Sequence, residues 1–190
     1  MPGIVVLITP MGRGAAEAQL SRMVASIKHE SSYEVGTWTD EDLGLYVGWV
    51  ARPGSFSTNM PVCNERGDLV LIYSGEDYLD PSTIRELRGR GHGFDQSGPS
   101  YLIHLAEEDS AFPIALNGRF HGILIDRSQM TAKVFNDRFG LHRLYFHESN
   151  DGWYLAAEAK AILAVRPELR RLDPRGLGEF IACGCVLENR

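Results

Sequence analysis

The residue with the most unusual chemistry in this sequence is Pro2, at the start of the segment MPGIVVLITP. We expect Met1 to be removed before so small a residue, which leaves Pro2 with a free secondary amine. An α-amine has a pKa of about 7.7–8.0 and can act as an acid or a base near neutral pH. The apolar, β-branched run from Ile4 to Ile8 directly behind it predicts a buried strand. The sequence therefore predicts a titratable amine held at one end of a core strand.

Thiols and imidazoles are the other groups with reactive or metal-binding potential. The three cysteines are Cys63, Cys183 and Cys185, and an odd number of them favours reduced thiols in the cytoplasm. The Cys183-Gly-Cys185 segment has no second Cys or His pair at ligand spacing, so we expect small buried apolar residues and no metal site. The six histidines are scattered. His104 lies within the apolar stretch 101–105 and is expected to be a hydrogen-bonded core or near-surface residue rather than a ligand.

The elements that must position these groups alternate between helices and strands. Leu20, Met23, Val24 and Ile27 share one face of a predicted helix. Asp80-Pro81 and Asp173-Pro174 each indicate a helix start. Strands are predicted at 4–8, 43–50, 68–73, 120–126, 131–136, 143–147 and 152–158, and further helices at 81–89, 100–107, 158–165 and 173–183. Two blocks of strands with helices outside them favour an α+β sandwich. We find no linker and predict a single domain, residues 1–190.

Composition excludes several classes of protein. The chain has 190 residues, of which 44% are hydrophobic and 23% charged, as is usual for a globular domain. The net charge of −6 and the absence of a basic run argue against nucleic acid or a membrane surface as partner. No segment has the length of a membrane-spanning helix, and no signal peptide is recognisable. A cytoplasmic location is expected.

Several motifs in the second half resemble one family. They are Asn117-Gly118-Arg119-Phe120, Asp137-Arg138-Phe139-Gly140 and Ala157-Glu158-Ala159-Lys160-Ala161-Ile162. In this order they resemble the N-terminal class II glutamine amidotransferase domain of asparagine synthetases. The resemblance implies the N-terminal-nucleophile hydrolase fold, a four-layer αββα sandwich of two mainly antiparallel sheets. It also implies that Asn117, Gly118, Asp137, Arg138, Gly140, Glu158 and Lys160 maintain the fold, with Asp137 and Arg138 tying down a turn that Gly140 permits.

The residues that the family uses to attack glutamine are altered here. In the family, a Met-Cys-Gly-Ile start supplies a thiolate nucleophile whose own amine acts as base. Here the same place has Pro2, which has neither thiol nor hydroxyl, so no acyl-enzyme can form there. The family's Asn-Gly-Glu segment corresponds to Ser74-Gly75-Glu76. The oxyanion-hole Asn is thus replaced by Ser74, while the Gly75 amide remains available as a donor.

The residues that would hold the glutamine backbone are altered as well. The family Asp that binds the substrate ammonium corresponds to Gly98 in the segment Ser97-Gly98-Pro99-Ser100. Arg52 is the nearest counterpart of the Arg that binds the α-carboxylate. The resemblance therefore implies a degenerate domain with no catalytic residue, whose glutaminase activity is lost.

Two other interpretations of Pro2 remain open. Small tautomerases use an N-terminal Pro as a general base, but such chains are roughly a third as long and explain nothing after Thr9. Alternatively, the domain is a free-standing binding module, with a repurposed small-ligand pocket at the Pro2 amine.

The resemblance also implies partners. In the family, a synthetase domain follows and uses ATP and Mg to form an amide. We expect such a domain in cis or in trans, no cofactor in this chain itself, and either a monomer or a homodimer.

Overall fold

The structure is a computed structural model that describes residues 3–78, 80–95 and 98–187. The predictions about Pro2 and Ser97 therefore lie outside the described residues.

One sheet has the strand order β2-β3-β1-β9-β8, and the other has the order β4-β5-β6-β7. The strands are β1 Gly3–Ile8, β2 Glu34–Asp40, β3 Leu45–Ala51, β4 Val62–Cys63, β5 Leu69–Asp77, β6 Gly118–Asp126, β7 Thr131–Asn136, β8 Tyr145–Ser149 and β9 Gly152–Ala156. The helices are α1 Arg13–Ile27, α2 Pro81–Gly89, α3 Ser100–Glu108, α4 Ala159–Val165 and α5 Pro174–Cys183, with a 3₁₀ turn at Pro167–Leu169.

The two sheets pack face to face between helical layers. Between them lies a cluster that includes Ile4 and Val6 of β1 and Val70 and Ile72 of β5. The helices α1 and α4 cover the outer face of the first sheet, and α2 and α3 cover the second. All strand pairs are antiparallel. The predicted αββα sandwich is therefore confirmed.

Strand β1 lies at the centre of its sheet, as its continuous apolar run predicts. It pairs with β3 on one side, where Val5 is opposite Gly48, and with β9 on the other, where Val5 is opposite Ala156. Ile4 and Val6 face the second sheet, and Val5 and Leu7 face α1. Both faces are buried, so an alternating polar pattern would be unfavourable here.

Two helices begin where the Asp-Pro pairs predict. The Asp80 carboxylate accepts a hydrogen bond from the Ser82 N–H (2.9 Å) and caps α2. The Asp173 carboxylate accepts from the Gly176 N–H (2.9 Å) and caps α5. In both cases, the proline occupies the first helical position, where no N–H is needed. Among the described residues, no helix is long and apolar enough to cross a membrane.

Two sequence-based expectations are wrong. Strand β2 was not predicted, because it is a largely exposed edge strand with polar residues and a glycine. Cys183 and Cys185, which were expected to be buried, are exposed, as is Cys63. Cys183 and Cys185 are exposed because α5 buries only Gly176 against the domain. The apolar residues at this end of the chain are therefore left at the surface.

Candidate functional site

A pocket of about 320 Å³ opens where β5 and β6 meet the loop after β3. Arg52, Ser74, Gly75 and Glu76 are among its lining residues, so the structure brings together these predicted pocket positions. The others are Ala51, Ser55, Phe56, Ser57, Arg119 and His142. Gly98 does not line this pocket, and a Cβ at that position would meet no atom within 4 Å.

Gly75 has a backbone conformation that other residues rarely adopt. Its φ is +125°, and a Cβ there would overlap the carbonyl oxygen of Arg119. The Gly75 N–H donates to Ser57 Oγ (3.1 Å), and the Ser57 hydroxyl lies 3.3 Å from the Gly75 carbonyl, to which it can donate. The amide expected to be available as an oxyanion donor is therefore already hydrogen-bonded within the protein.

The charged groups of the pocket are not paired with one another. Arg119 lies opposite Glu76 across the β5–β6 ladder. In the described part of the chain, the guanidinium groups of Arg52 and Arg119 and the Glu76 carboxylate form no salt bridge. With two guanidinium groups and one carboxylate, the lining has a positive balance in a chain of net charge −6. Such a lining attracts anions.

Two stacked imidazoles lie beside the pocket, and of the two only His142 lines it. The His121 and His142 rings lie 4.3 Å apart between centroids. His121 is fully buried, and its Nε2 accepts a hydrogen bond from the Ile4 N–H (3.3 Å). Burial, helped by the neighbouring His142, lowers the pKa of His121 to about 3. Burial also lowers the pKa of His142, although the backbone of Ser74 opposes this. Both rings are therefore neutral at pH 7.

The start of β1 is attached to this histidine pair. A Cβ at Gly3 would overlap the Ala157 side chain and lie 3.2 Å from His121 Nε2. His121 in turn stacks on His142, which lines the pocket. The first described residue of the chain thus packs against His121, next to the pocket wall.

The turn after β7 is held by one carboxylate. Asp137 is 3% exposed, and it accepts hydrogen bonds from the N–H groups of Phe139 (3.1 Å), Leu141 (2.9 Å) and His142 (2.7 Å). Burial alone would raise the pKa of Asp137, but these hydrogen bonds outweigh it and lower the pKa. The turn passes through Gly140 at a φ of +62°. Arg138 is exposed, and its side chain makes no hydrogen bond in the described part of the chain. Asp137 rather than Arg138 therefore ties the turn.

The other motif residues also have structural contacts. The Asn117 N–H donates to Asp77 Oδ1 (2.8 Å), and a Cβ at Gly118 would overlap the Glu76 carbonyl oxygen. These contacts fix the close approach of β5 and β6 at the pocket.

The third motif ties α4 to the end of α1. Glu158 Oε1 lies 2.6 Å from His29 Nε2, and the Lys160 ammonium lies 3.3 Å from Glu158 Oε2. Burial would raise the pKa of Glu158, but hydrogen bonds that include those from His29 and Lys160 lower it to about 2. The carboxylate is therefore charged at pH 7.

The sequence did not identify Ser57, Arg119 or His142 as pocket residues, nor His121 as the ring stacked on His142. Arg119 lies within a motif that was interpreted as structural, and its position opposite Glu76 requires the β5–β6 register. His142 reaches the pocket only because the Asp137 turn redirects the chain. Among the described lining residues, no hydroxyl is hydrogen-bonded to an imidazole or carboxylate. The described lining residues thus suit the binding of an anion and include no hydroxyl paired with a base.

Comparison with known proteins identifies the family. A profile described as "Glutamine amidotransferase domain" matches residues 1–190. This chain therefore belongs to the glutamine amidotransferase domain family, as the motifs indicate. It is related to asparagine synthetases. Over 126 residues it is 32% identical to "Asparagine synthetase [glutamine-hydrolyzing] 3" of Bacillus subtilis, a match that spans 64% of this chain and 20% of that protein. Over 185 residues it is 22% identical to "Asparagine synthetase [glutamine-hydrolyzing] 1" of the same organism, spanning 94% of this chain and 29% of that protein.

Solved structures show the same fold. The "allosteric regulatory enzyme of purine biosynthesis" superimposes with a TM-score of 0.67 at 17% identity, covering 86% of this chain and 43% of that chain. A "glutamine phosphoribosylpyrophosphate (PRPP) amidotransferase" from B. subtilis gives the same values.

Matches to the curated relatives span only 20–29% of their length.

Proposed function

We propose that this chain is a degenerate glutamine amidotransferase domain that no longer hydrolyses glutamine and forms part of an ATP-dependent, amide-forming protein of the asparagine synthetase kind. The observation that carries the proposal is the state of the pocket. Its predicted oxyanion donor, the Gly75 amide, is bonded to Ser57, and no described lining residue forms a nucleophile–base pair.

Sequence changes around the pocket support the same conclusion. Pro2 stands where the family has its Cys, Ser74 where it has Asn, and Gly98 where it has Asp. Each change removes a different contribution to hydrolysis: covalent attack, stabilisation of the oxyanion, and binding of the substrate ammonium. A protein that lacks this activity would form its amide from free ammonia, from another amine, or within its own substrate.

We further propose that a synthetase domain, in cis or in trans, is the partner of this domain and binds the ATP and Mg. Helix α5 supports such a partner, because Leu177, Phe180 and Ile181 are exposed by 42%, 58% and 76%. They lie at i, i+3 and i+4 on one face, which is typical of a helix that packs against apolar surface. A native reading frame that continues past Arg190 into a Ser-Gly-Gly-x-Asp-Ser motif would support the arrangement in cis.

Glutamine hydrolysis is the direct test. The untagged chain is incubated with L-glutamine and ammonia release is measured, with B. subtilis asparagine synthetase 3 assayed in parallel as the positive control. We expect no release above the buffer blank. Glutamine-dependent turnover of order 1 per second or more, within the usual range for enzymes, would disprove the loss of activity.

The positive lining of the pocket favours a second candidate function. The pocket of about 320 Å³ retains Arg52 and Arg119 without ion-pair partners in the described residues. A binding module with a repurposed pocket would use these two guanidinium groups to hold a small anion, such as a dicarboxylate, near the Pro2 amine.

A thermal-shift titration distinguishes the two functions. Binding of succinate in the pocket would raise the Tm of the wild-type chain, and Arg119→Gln would abolish the rise. Lys133→Gln serves as the control, because it removes one cationic side chain that lines a different pocket and is not part of this lining. An equal response of wild type and Arg119→Gln would exclude the second candidate.

A further inference from the structure

A group of metal-ligating side chains lies outside the pocket, at the outer face of the second sheet. His92 follows the end of α2, and His104 and Glu107 lie one turn apart on α3. One ligand atom from each of the three residues lies within 4.8 Å of the others, the only such group found in the described residues. The His92 and His104 rings are 4.7 Å apart between centroids. The fold thus brings together histidines that are scattered in the sequence.

Glu107 is held in place by a neighbouring amide. Its Oε1 accepts a hydrogen bond from Asn64 Nδ2 (2.8 Å), which leaves Oε2 to face His104 Nδ1 at 3.1 Å. Asn64 is itself 5% exposed, and its Oδ1 accepts from the Leu69 N–H (3.1 Å), so the orientation of the amide is fixed. A hydrogen bond that orients a carboxylate ligand in this way is typical of metal sites.

The histidines are partly shielded from water and have carboxylate neighbours. His104 is 5% exposed and packs beside the Phe94 ring. The His92 side chain is 17% exposed, and its Nε2 lies 2.9 Å from Glu108 Oε1. The other oxygen of Glu108 is bound by the Arg90 guanidinium. Glu108 is therefore a potential fourth ligand that is already oriented toward His92.

We propose that His92, His104 and Glu107, with Glu108 as the fourth ligand, form a binding site for a divalent transition metal ion, with zinc as the best fit. Two imidazoles and carboxylate oxygens suit zinc, which prefers four ligands in a tetrahedron. At Zn–N and Zn–O distances of about 2.0–2.1 Å, the ligand atoms of such a tetrahedron lie roughly 3.3 Å apart. The His104–Glu107 and His92–Glu108 distances of 3.1 Å and 2.9 Å are already close to that value. The two pairs must approach each other, and Glu108, which lies outside the group of ligand atoms within 4.8 Å, must move toward the other three.

The bound ion would connect two elements that are joined by a long loop. His92 belongs to the segment after α2, whereas the other ligands belong to α3. A metal between them closes this loop and stabilises the helical layer over the second sheet, since an ion that binds only the folded state raises its stability. This function is independent of the glutamine pocket.

Metal titration of the untagged, metal-free chain tests the proposal. The exposed Cys63, Cys183 and Cys185 are replaced by serine, because thiols would bind zinc on their own. Calorimetry with Zn²⁺ is expected to show one ion per chain with micromolar or tighter affinity. Co²⁺ is expected to give the intense visible absorption of a tetrahedral site. At 100 times the dissociation constant, Zn²⁺ should raise the Tm by about 5–10 °C, and EDTA should reverse the rise.

Ligand variants locate the ion. His92→Gln and Glu107→Gln each preserve a hydrogen-bonding side chain and should each weaken Zn²⁺ binding by at least about a hundredfold. His29→Gln is the matched control, because His29 also pairs with a carboxylate, that of Glu158, but belongs to no metal-ligating group in the part of the chain that the structure describes. The proposal is overturned if Zn²⁺ binds no tighter than about millimolar, if either ligand variant retains wild-type affinity, or if His29→Gln loses it.

Discussion

The turn around Asp137 and the pocket beside it differ sharply in how their polar groups are satisfied. In the turn, one buried carboxylate accepts three backbone N–H groups. In the pocket, Arg52, Glu76 and Arg119 make no ion pair in the described residues. The pocket is lined by β5, β6 and the loop after β3, and His142 of the Asp137 turn also lines it. The turn retains the family motif, whereas under our proposal the pocket has lost the family's reactive residues.

The difference indicates which contacts the fold depends on. Removing the donors of a buried carboxylate, or removing the carboxylate from its donors, would lower the free energy of unfolding by several kcal/mol. A substitution at the rim of the pocket affects a side chain that is in contact with water, so it changes the free energy of unfolding only a little. Under the proposed loss of glutamine hydrolysis, exposed side chains of the pocket are therefore free to change, while Asp137, Gly118 and the pocket residue Gly75 are not.

The largest expected effect is that of Asp137→Ala. It leaves three N–H groups without an acceptor in a site that is 3% exposed, so we expect a loss of at least about 3 kcal/mol in the free energy of unfolding. The neighbouring Arg138→Ala is the control and should stay within about 0.5 kcal/mol of wild type. Urea denaturation measures both, and equal effects would show that the carboxylate does not hold the turn.

A smaller effect is expected for Gly118→Ala. The added Cβ would overlap the Glu76 carbonyl oxygen and force β5 and β6 apart, at a cost of about 1–3 kcal/mol. Gly98→Ala is the control, since its Cβ would meet no atom within 4 Å. A neutral Gly118→Ala variant would mean that the strands can separate there without cost.

The last expected effect concerns the histidine pair, and it is a slope with pH rather than a single difference in stability. Because burial lowers the pKa of His121 to about 3, well below its unfolded value of about 6.5, the unfolded state binds more protons between these values. Stability is therefore highest above pH 6.5 and falls toward pH 3, by up to about 1.4 kcal/mol per pH unit from this residue.

Denaturation between pH 7.5 and pH 4.5 measures that slope. In this range Asp137, whose unfolded pKa is about 3.9, stays ionised. His121→Gln should flatten the dependence whatever its effect on stability at pH 7, because the new side chain does not titrate. His147→Gln, on β8, should leave the slope close to that of wild type. An unchanged slope in His121→Gln would mean that His121 binds protons equally in the folded and unfolded states, so that burial does not lower its pKa.

Features that depend on residues close together in the sequence could be predicted, whereas features that depend on the packing of distant segments could not. The run Ile4–Ile8 predicted a central strand because a strand buried on both faces needs apolar residues throughout. Asp80 and Asp173 predicted helix starts because an N-cap acts within one turn. Strand β2 was missed because an exposed edge strand has little apolar pattern. The pocket residue Arg119 and the pairing of His92 with His104 depend on strand register and helix packing, which no local pattern specifies.

The central claim is that several positions of the pocket, and not Pro2 alone, have lost their function in hydrolysis. Its most direct test measures glutamine hydrolysis by Pro2→Cys, with Met1 removed, and by the triple change Pro2→Cys, Ser74→Asn, Gly98→Asp. Loss of the ammonium ligand costs about ten- to a hundredfold, and loss of an oxyanion donor about a hundred- to a thousandfold. Even the mild ends together give a deficit of roughly a thousandfold in kcat/KM if the positions act independently. We therefore predict that Pro2→Cys alone stays nearly inactive and that the triple variant is measurably better. Robust hydrolysis by Pro2→Cys alone would contradict the account.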